Sequence, residues 1–131
     1  MQLTKYSQNR LMNSLYHWRV AKDFAEPMFN YLVHGFEPGG FFKGWYANDA
    51  TSIIRSHPAN TVQALKDLTK WMINCAPDPA WGNHDNVNHW LKMSAKDRRF
   101  VLEQYELIYT EAQEIEMALK GLPVTDPVFY D

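Results

Sequence analysis

Two proline- and glycine-bearing corners divide a chain whose other segments carry helical spacing. That alternation confines the fold to helices joined by tight turns. The first corner is Gly35-Phe36-Glu37-Pro38-Gly39-Gly40-Phe41-Phe42, and the second is Ala76-Pro77-Asp78-Pro79-Ala80-Trp81-Gly82. Pro38 pre-sets φ for the second residue of a turn, and the Gly39-Gly40 pair admits positive φ without a steric penalty. No strand-like alternation, internal repeat or low-complexity stretch occurs. The expectation is an all-α fold: one domain over residues 1–131, of about six helices, with a long C-terminal helix packed on the N-terminal one.

Residues 4–24 read as a first helix, with Leu11, Leu15 and Trp18 at intervals of four and three and with Met12 and Tyr16 on the adjoining stripe. Pro27 suits the first turn of a second helix, which buries Met28, Tyr31 and Leu32 and ends on Gly35. A third helix is expected over 41–56, anchored by Phe41, Phe42, Trp45, Ile53 and Ile54, interrupted at Asn48-Asp49 and stopped by His57-Pro58. Asn60 and Gln63 form a capping box for a fourth, whose stripe is Leu65, Leu68, Met72 and Cys75, widened by Trp71. Asn83 caps a fifth that turns Val87, Trp90 and Leu91 inward.

Ser94 and Asp97 make another capping box, opening a long helix over 95–120. Its apolar positions, Val101, Tyr105, Ile108, Ala112, Ile115, Leu119 and Leu122, alternate by four and three without a break. Gly121 and Pro123 end it, leaving 123–131 as a tail. Such a seam packs on the first helix of the same chain, its usual fate, or pairs with its twin in a homodimer through 101–122. Three heptads are marginal for a free-standing coiled coil.

Charge is uneven along the chain. Residues 1–22 carry Lys5, Arg10, Arg19 and Lys22 and no acid, whereas 103–131 carry seven acids against Lys120 alone. The basic start therefore fits beside the acidic end, or serves as a basic surface for a nucleic acid or acidic partner. The net charge of −2 argues against a strongly cationic nucleic-acid binder. A single cysteine, Cys75, forms no internal disulfide framework, and no apolar run reaches the roughly 20 residues of a membrane span. The expectation from these features is a soluble protein of a reducing cytoplasm.

Catalytic patterns are weak. His84 and His89 are five apart and diverge on a helix, and neither Cys-x-x-Cys nor His-Glu-x-x-His occurs. Cys75 falls on an apolar stripe, where a thiol is inert. Glu37 and Asp49 flank the first corner, yet Asp49 equally suits a cap or local ion pair. The Glu37–Gly40 turn lacks the lysine and hydroxyl of a phosphate loop and follows a helix rather than a strand. The reading is a non-enzyme with no catalytic, metal or cofactor residue.

Aromatic residues make up 15% of the chain, more than a small core usually needs. Surplus aromatics supply rigid contact area, although any single one more often packs inside the bundle. Lys92, Lys96, Arg98 and Arg99, beside Trp90 and His89, form either a solvated helix start or a set of phosphate contacts. The expected partner-binding residues are Phe36, Phe41, Phe42, Trp45, Trp81, Trp90, Lys92, Lys96, Arg98 and Arg99. Whether the two corners are scaffold or contact surface turns on how they pack, and the balance favours scaffold.

The stretch from Tyr31 through Phe42, then Asn48-Asp49, then Ala76-Pro77 and Trp81-Gly82, resembles a group of small phage and prophage proteins of unassigned activity. The shared elements are a tyrosine-bearing helix end, a Gly-x-x-Pro-Gly turn followed by an aromatic, an Asn-Asp pair and an Ala-Pro…Trp-Gly loop. The likeness covers residues 28–93, and the helices at 4–24 and 95–120 are additions to it. The resemblance implies a phage-encoded protein that binds a host protein complex, including defence systems such as CRISPR. The alternative is a nucleic-acid-binding accessory of phage replication or transcription.

Overall fold

A computed structural model describes residues 1–49 and 62–127. These residues form seven α-helices and no strand. The helices are α1 (Lys5–His17), α2 (Lys22–Phe29), α3 (Gly40–Tyr46), α4 (Val62–Cys75), α5 (His84–Lys92), α6 (Ala95–Gln104) and α7 (Glu111–Leu119). A π turn, Asn30–His34, extends α2, and a 3-10 turn, Asp78–Ala80, lies in the second corner. The all-α expectation holds. Ile53, Ile54, His57-Pro58 and the Asn60 cap lie outside the described residues.

Four helices stop by one device. The residue after the C-cap takes a left-handed conformation at Arg19, Asn48, Glu106 and Gly121, with φ between 56° and 65°. The next N–H then reaches back five residues: Val20 to Leu15, Asp49 to Gly44, Leu107 to Leu102, and Leu122 to Met117. This is the Schellman closure, which satisfies carbonyls that a helix end leaves free. At α1 and α6 the residues so joined are apolar and buried: Leu15 with Val20, Leu102 with Leu107. The apolar contact offsets the strain of holding Arg19 or Glu106 at positive φ.

Those closures correct two sequence expectations. The helix expected over 4–24 ends at His17, and the chain turns before α2. The long helix expected over 95–120 is two helices, α6 and α7, separated by residues 105–110. Thr110 and Gln113 form the reciprocal capping box that starts α7. Pro27 lies inside α2 rather than opening a helix, and α2 runs on into the π turn, which Gly35 terminates at φ 63°. Gly39 caps α3 with a negative φ of −60°, so the positive φ open to it is not used.

The core gathers Leu11 and Leu15 of α1, Met28 of α2, Tyr31 and Leu32 of the π turn, Leu68, Trp71 and Met72 of α4, Trp90 of α5 and Leu102 of α6. Three of its larger polar tips are paired, whereas the Tyr46 hydroxyl and the Trp81 indole N–H are buried without a hydrogen-bond partner among the described residues. Trp71 Nε1 donates to Ser14, Trp90 Nε1 donates to the Tyr31 carbonyl, and the Tyr31 hydroxyl donates to the Ala80 carbonyl. Such bonds remove the penalty of burying an indole or phenol donor and fix how the elements meet.

The basic start and acidic end of the chain do meet, as the charge pattern anticipated. Hydrogen bonds carry the contact, and among the described residues no ion pair joins the two segments. Tyr6 and Asn9 of α1 donate to the Leu122 and Thr125 carbonyls, each at 2.6 Å, and the Arg10 guanidinium sits 4.4 Å over the Tyr109 ring.

Candidate functional site

Both corners are tied to neighbouring elements, although Phe36 and Glu37 of the first stand exposed. Gly82 N–H donates to the Tyr46 carbonyl at 2.7 Å, and His84 Nε2 lies 2.6 Å from Asp49 Oδ2, so the second corner is tied to the end of α3. Gly35 packs against the Arg98 guanidinium so closely that a Cβ there would lie 2.7 Å from Nη1. Arg98 donates to the Val33 and Met93 carbonyls and thereby locks the π turn to the start of α6. The Tyr46 ring lies 4.9 Å from that of Tyr31. Burial, with Tyr31 beside it, pushes the Tyr46 phenol well above its ordinary range.

The residues expected to form one partner surface are therefore scattered. Trp90 is fully enclosed and Phe41 and Arg98 are buried, which corrects their placement as surface contacts. Phe42 and Trp45 are partly covered, the first edge-on to Phe24 and the second donating to the Thr69 hydroxyl. Trp81 is packed against the core, and Asn86 donates to its carbonyl. Phe36 stands out at 60% exposure, stacked on His34. Burial, then nearby positive charge including Arg98, holds the His34 imidazole below its usual range.

The basic run divides in the same way. Lys92 and Lys96 are exposed, while the two arginines are committed inside the molecule. Arg99 binds Glu103 at 2.9 Å, Glu114 at 2.5 Å and the Tyr109 carbonyl at 3.2 Å. These acids hold the guanidinium above its ordinary range despite its burial. The pairing removes Arg99 from the set of free phosphate contacts. Of the four cations, only the two lysines fit the expected solvent-facing arrangement.

Following Arg99 leads to the C-terminal half of the 101–122 seam, where the sequence reading did not foresee a buried glutamate. Glu114, on α7, is only 5% exposed and is the buried residue of that helix. The Thr4 hydroxyl and N–H both donate to its Oε2. Ser7 Oγ accepts the Tyr109 N–H at 3.1 Å beside it. Burial raises the Glu114 pKa, but the bonds from Thr4 and Ser7 and the Arg99 charge outweigh it, leaving the carboxyl below its ordinary range.

With Glu114 turned inward, the apolar side of α7 faces out. Ala112, Ile115 and Leu119 recur at three and four residues and share one side of the helix. Ile115 is 61% exposed and Leu119 is 83% exposed, and Leu122 and Val124 continue the exposed apolar surface into the tail. By helical period, Glu111 flanks this stripe on one side and Glu116 on the other. Phe100, also exposed, lines a cleft of about 270 Å³ with Glu111 and Lys96 between α6 and α7.

The expected 101–122 seam thus splits. Ile108 is buried and Val101 partly covered, whereas the positions from Ala112 onward face solvent. The Thr110–Gln113 box was legible in the sequence and marks a fresh helix start. It was the available signal that the seam changes direction there.

No protein-family model, curated protein or solved structure matches the chain. Among the described residues no group of three or more histidine, cysteine, aspartate or glutamate side chains is arranged to hold a metal ion. Among them, too, no helix is long and apolar enough to cross a membrane.

Proposed function

We propose that this chain is a non-enzymatic interaction protein whose contact surface is the outward face of α7 and the adjoining tail. One observation carries the reading: α7 is anchored by a buried glutamate and displays Ile115 and Leu119 to solvent. An amphipathic surface helix ordinarily does the reverse. Covering Ile115, Leu119, Leu122 and Val124 with a partner would contribute about 4 kcal/mol from this side of an interface. That is comparable with the lower end of the roughly 4–15 kcal/mol that association costs in lost freedom, so further contacts must add to it.

The resemblance of residues 28–93 to small phage proteins directs the reading to a bacterial host complex as target, including a defence system. The two corners hold the scaffold, and α7, outside the family-like stretch, is the part specific to this chain. The test is capture of host proteins from bacterial lysate by the wild type and by an Ile115→Asp/Leu119→Asp variant. The expected result is a defined partner retained by the wild type and lost by the folded variant. Recovery of no specific partner, or of the same partner by both, contradicts the reading.

A further inference from the structure

The charges that frame the α7 stripe identify the kind of partner that fits it, and this step rests on α7 being the contact surface. Glu111 is 79% exposed and lies 3.8 Å from Arg99, which is already engaged by Glu103 and Glu114. On the opposite flank Glu116 is exposed and its charge is met by Lys120, at 2.7 Å. Glu106 and Asp126 are exposed acids in the connections before and after α7. From residue 103 to 127, Lys120 is the one lysine or arginine. The stripe is therefore apolar along its middle, and around it the exposed acids Glu106, Glu111, Glu116 and Asp126 outnumber the exposed cations Lys120 and, beside Phe100, Lys96.

That border selects among occupants. A second copy brings acidic borders together, and like charges in register oppose association. An anionic membrane surface and a nucleic acid are repelled by the same carboxylates. A cationic amphipathic helix meets both requirements: apolar residues at i, i+3 or i+4 and i+7 enter the stripe, and flanking lysines or arginines reach Glu111 and Glu116. At 1.5 Å per residue, α7 presents roughly 13 Å of length, about two turns of such a partner. This is too short to supply alone the ~800 Å² that a standard interface takes from each side, so Phe100 and the Leu122–Val124 tail belong to the surface.

We infer that the outward face of α7 docks a cationic amphipathic helix of a partner protein. The probes are two synthetic amphipathic peptides of about 18 residues, long enough to hold helix, with the same leucine pattern and either lysine or glutamate on the flanks. Binding is measured by fluorescence anisotropy against the full chain, with sedimentation to read its oligomeric state.

The lysine peptide is expected to bind one to one, and to weaken at least tenfold with Leu119→Asp and severalfold with Glu111→Gln/Glu116→Gln. Asp23→Asn/Glu26→Gln, which removes exposed acids of α2, leaves binding unchanged. Tighter or equal binding of the glutamate peptide, abolished by Leu119→Asp, overturns the cationic partner while preserving α7 as the contact surface. Peptide binding indifferent to Leu119→Asp overturns both. Concentration-dependent dimerisation lost in Leu119→Asp assigns the face to a second copy and overturns the inference.

Discussion

At the residue scale, the fold depends on a few side chains that each hold two elements at once. Gly35 ends the π turn at φ 63° and lies under the Arg98 guanidinium, which itself bonds the carbonyls of Val33 and Met93. Gly35→Ala forces a Cβ into a left-handed position and against that guanidinium. The expected loss is about 2–3 kcal/mol by denaturant unfolding, and an effect under about half a kcal/mol would contradict the left-handed corner itself. Glycine as a helix terminator was legible here. The arginine above it was not, because a cation in a basic run carries no sequence mark of burial.

Glu114 joins Thr4 of the first turn to Arg99 of α6, and its role is readable through pH. Its folded pKa is depressed, so its stabilisation is complete above the ordinary glutamate value of about 4.3 and is lost as pH falls through the lower folded value. Glu114→Gln should therefore cost about 2 kcal/mol at pH 7, with the gap to wild type closing below about pH 4. Parallel unfolding curves with a constant gap across that range would contradict the ionised, bonded carboxylate.

At the scale of elements, the apolar spacing located the helices better than it located their ends. The stripe of α4 and the Asn83 cap of α5 were legible because local signals and tertiary packing agree there. The breaks at Arg19 and Glu106 were hidden because residues other than glycine hold the left-handed position. The heptad spacing runs across residues 105–110 without a continuous helix beneath it. Apolar pairs five apart, Leu15 with Val20 and Leu102 with Leu107, were the remaining trace of both closures.

Glu106→Gly separates the two descriptions by sign. At a Schellman corner glycine relieves strain and stabilises the protein by about 0.5–1 kcal/mol, whereas in a continuous helix it destabilises by a similar amount. Thermal unfolding of the variant beside wild type reads the direction. The observed corner requires a rise in melting temperature.

At the scale of the whole molecule, the architecture places charged and apolar groups against their usual preference in one region. Residues from the first and sixth helices, with the connection into α7, hold Glu114 from within. The outward side of α7 then carries apolar residues bordered by acids. The candidate aromatic surface was legible only in part: Phe36 is exposed, while Trp90, the most enclosed of that set, supports the core. Aromatic count reports how much rigid surface a chain owns. It does not say which side of the molecule receives it.

The central claim is that α7 is held by its charged side and presents its apolar side, and equilibrium unfolding of Ile115→Asp/Leu119→Asp tests it most directly. The account predicts a stability within about 0.5 kcal/mol of wild type, as for solvent-facing substitutions. A loss of about 3 kcal/mol or more would place the stripe in the core and contradict the account.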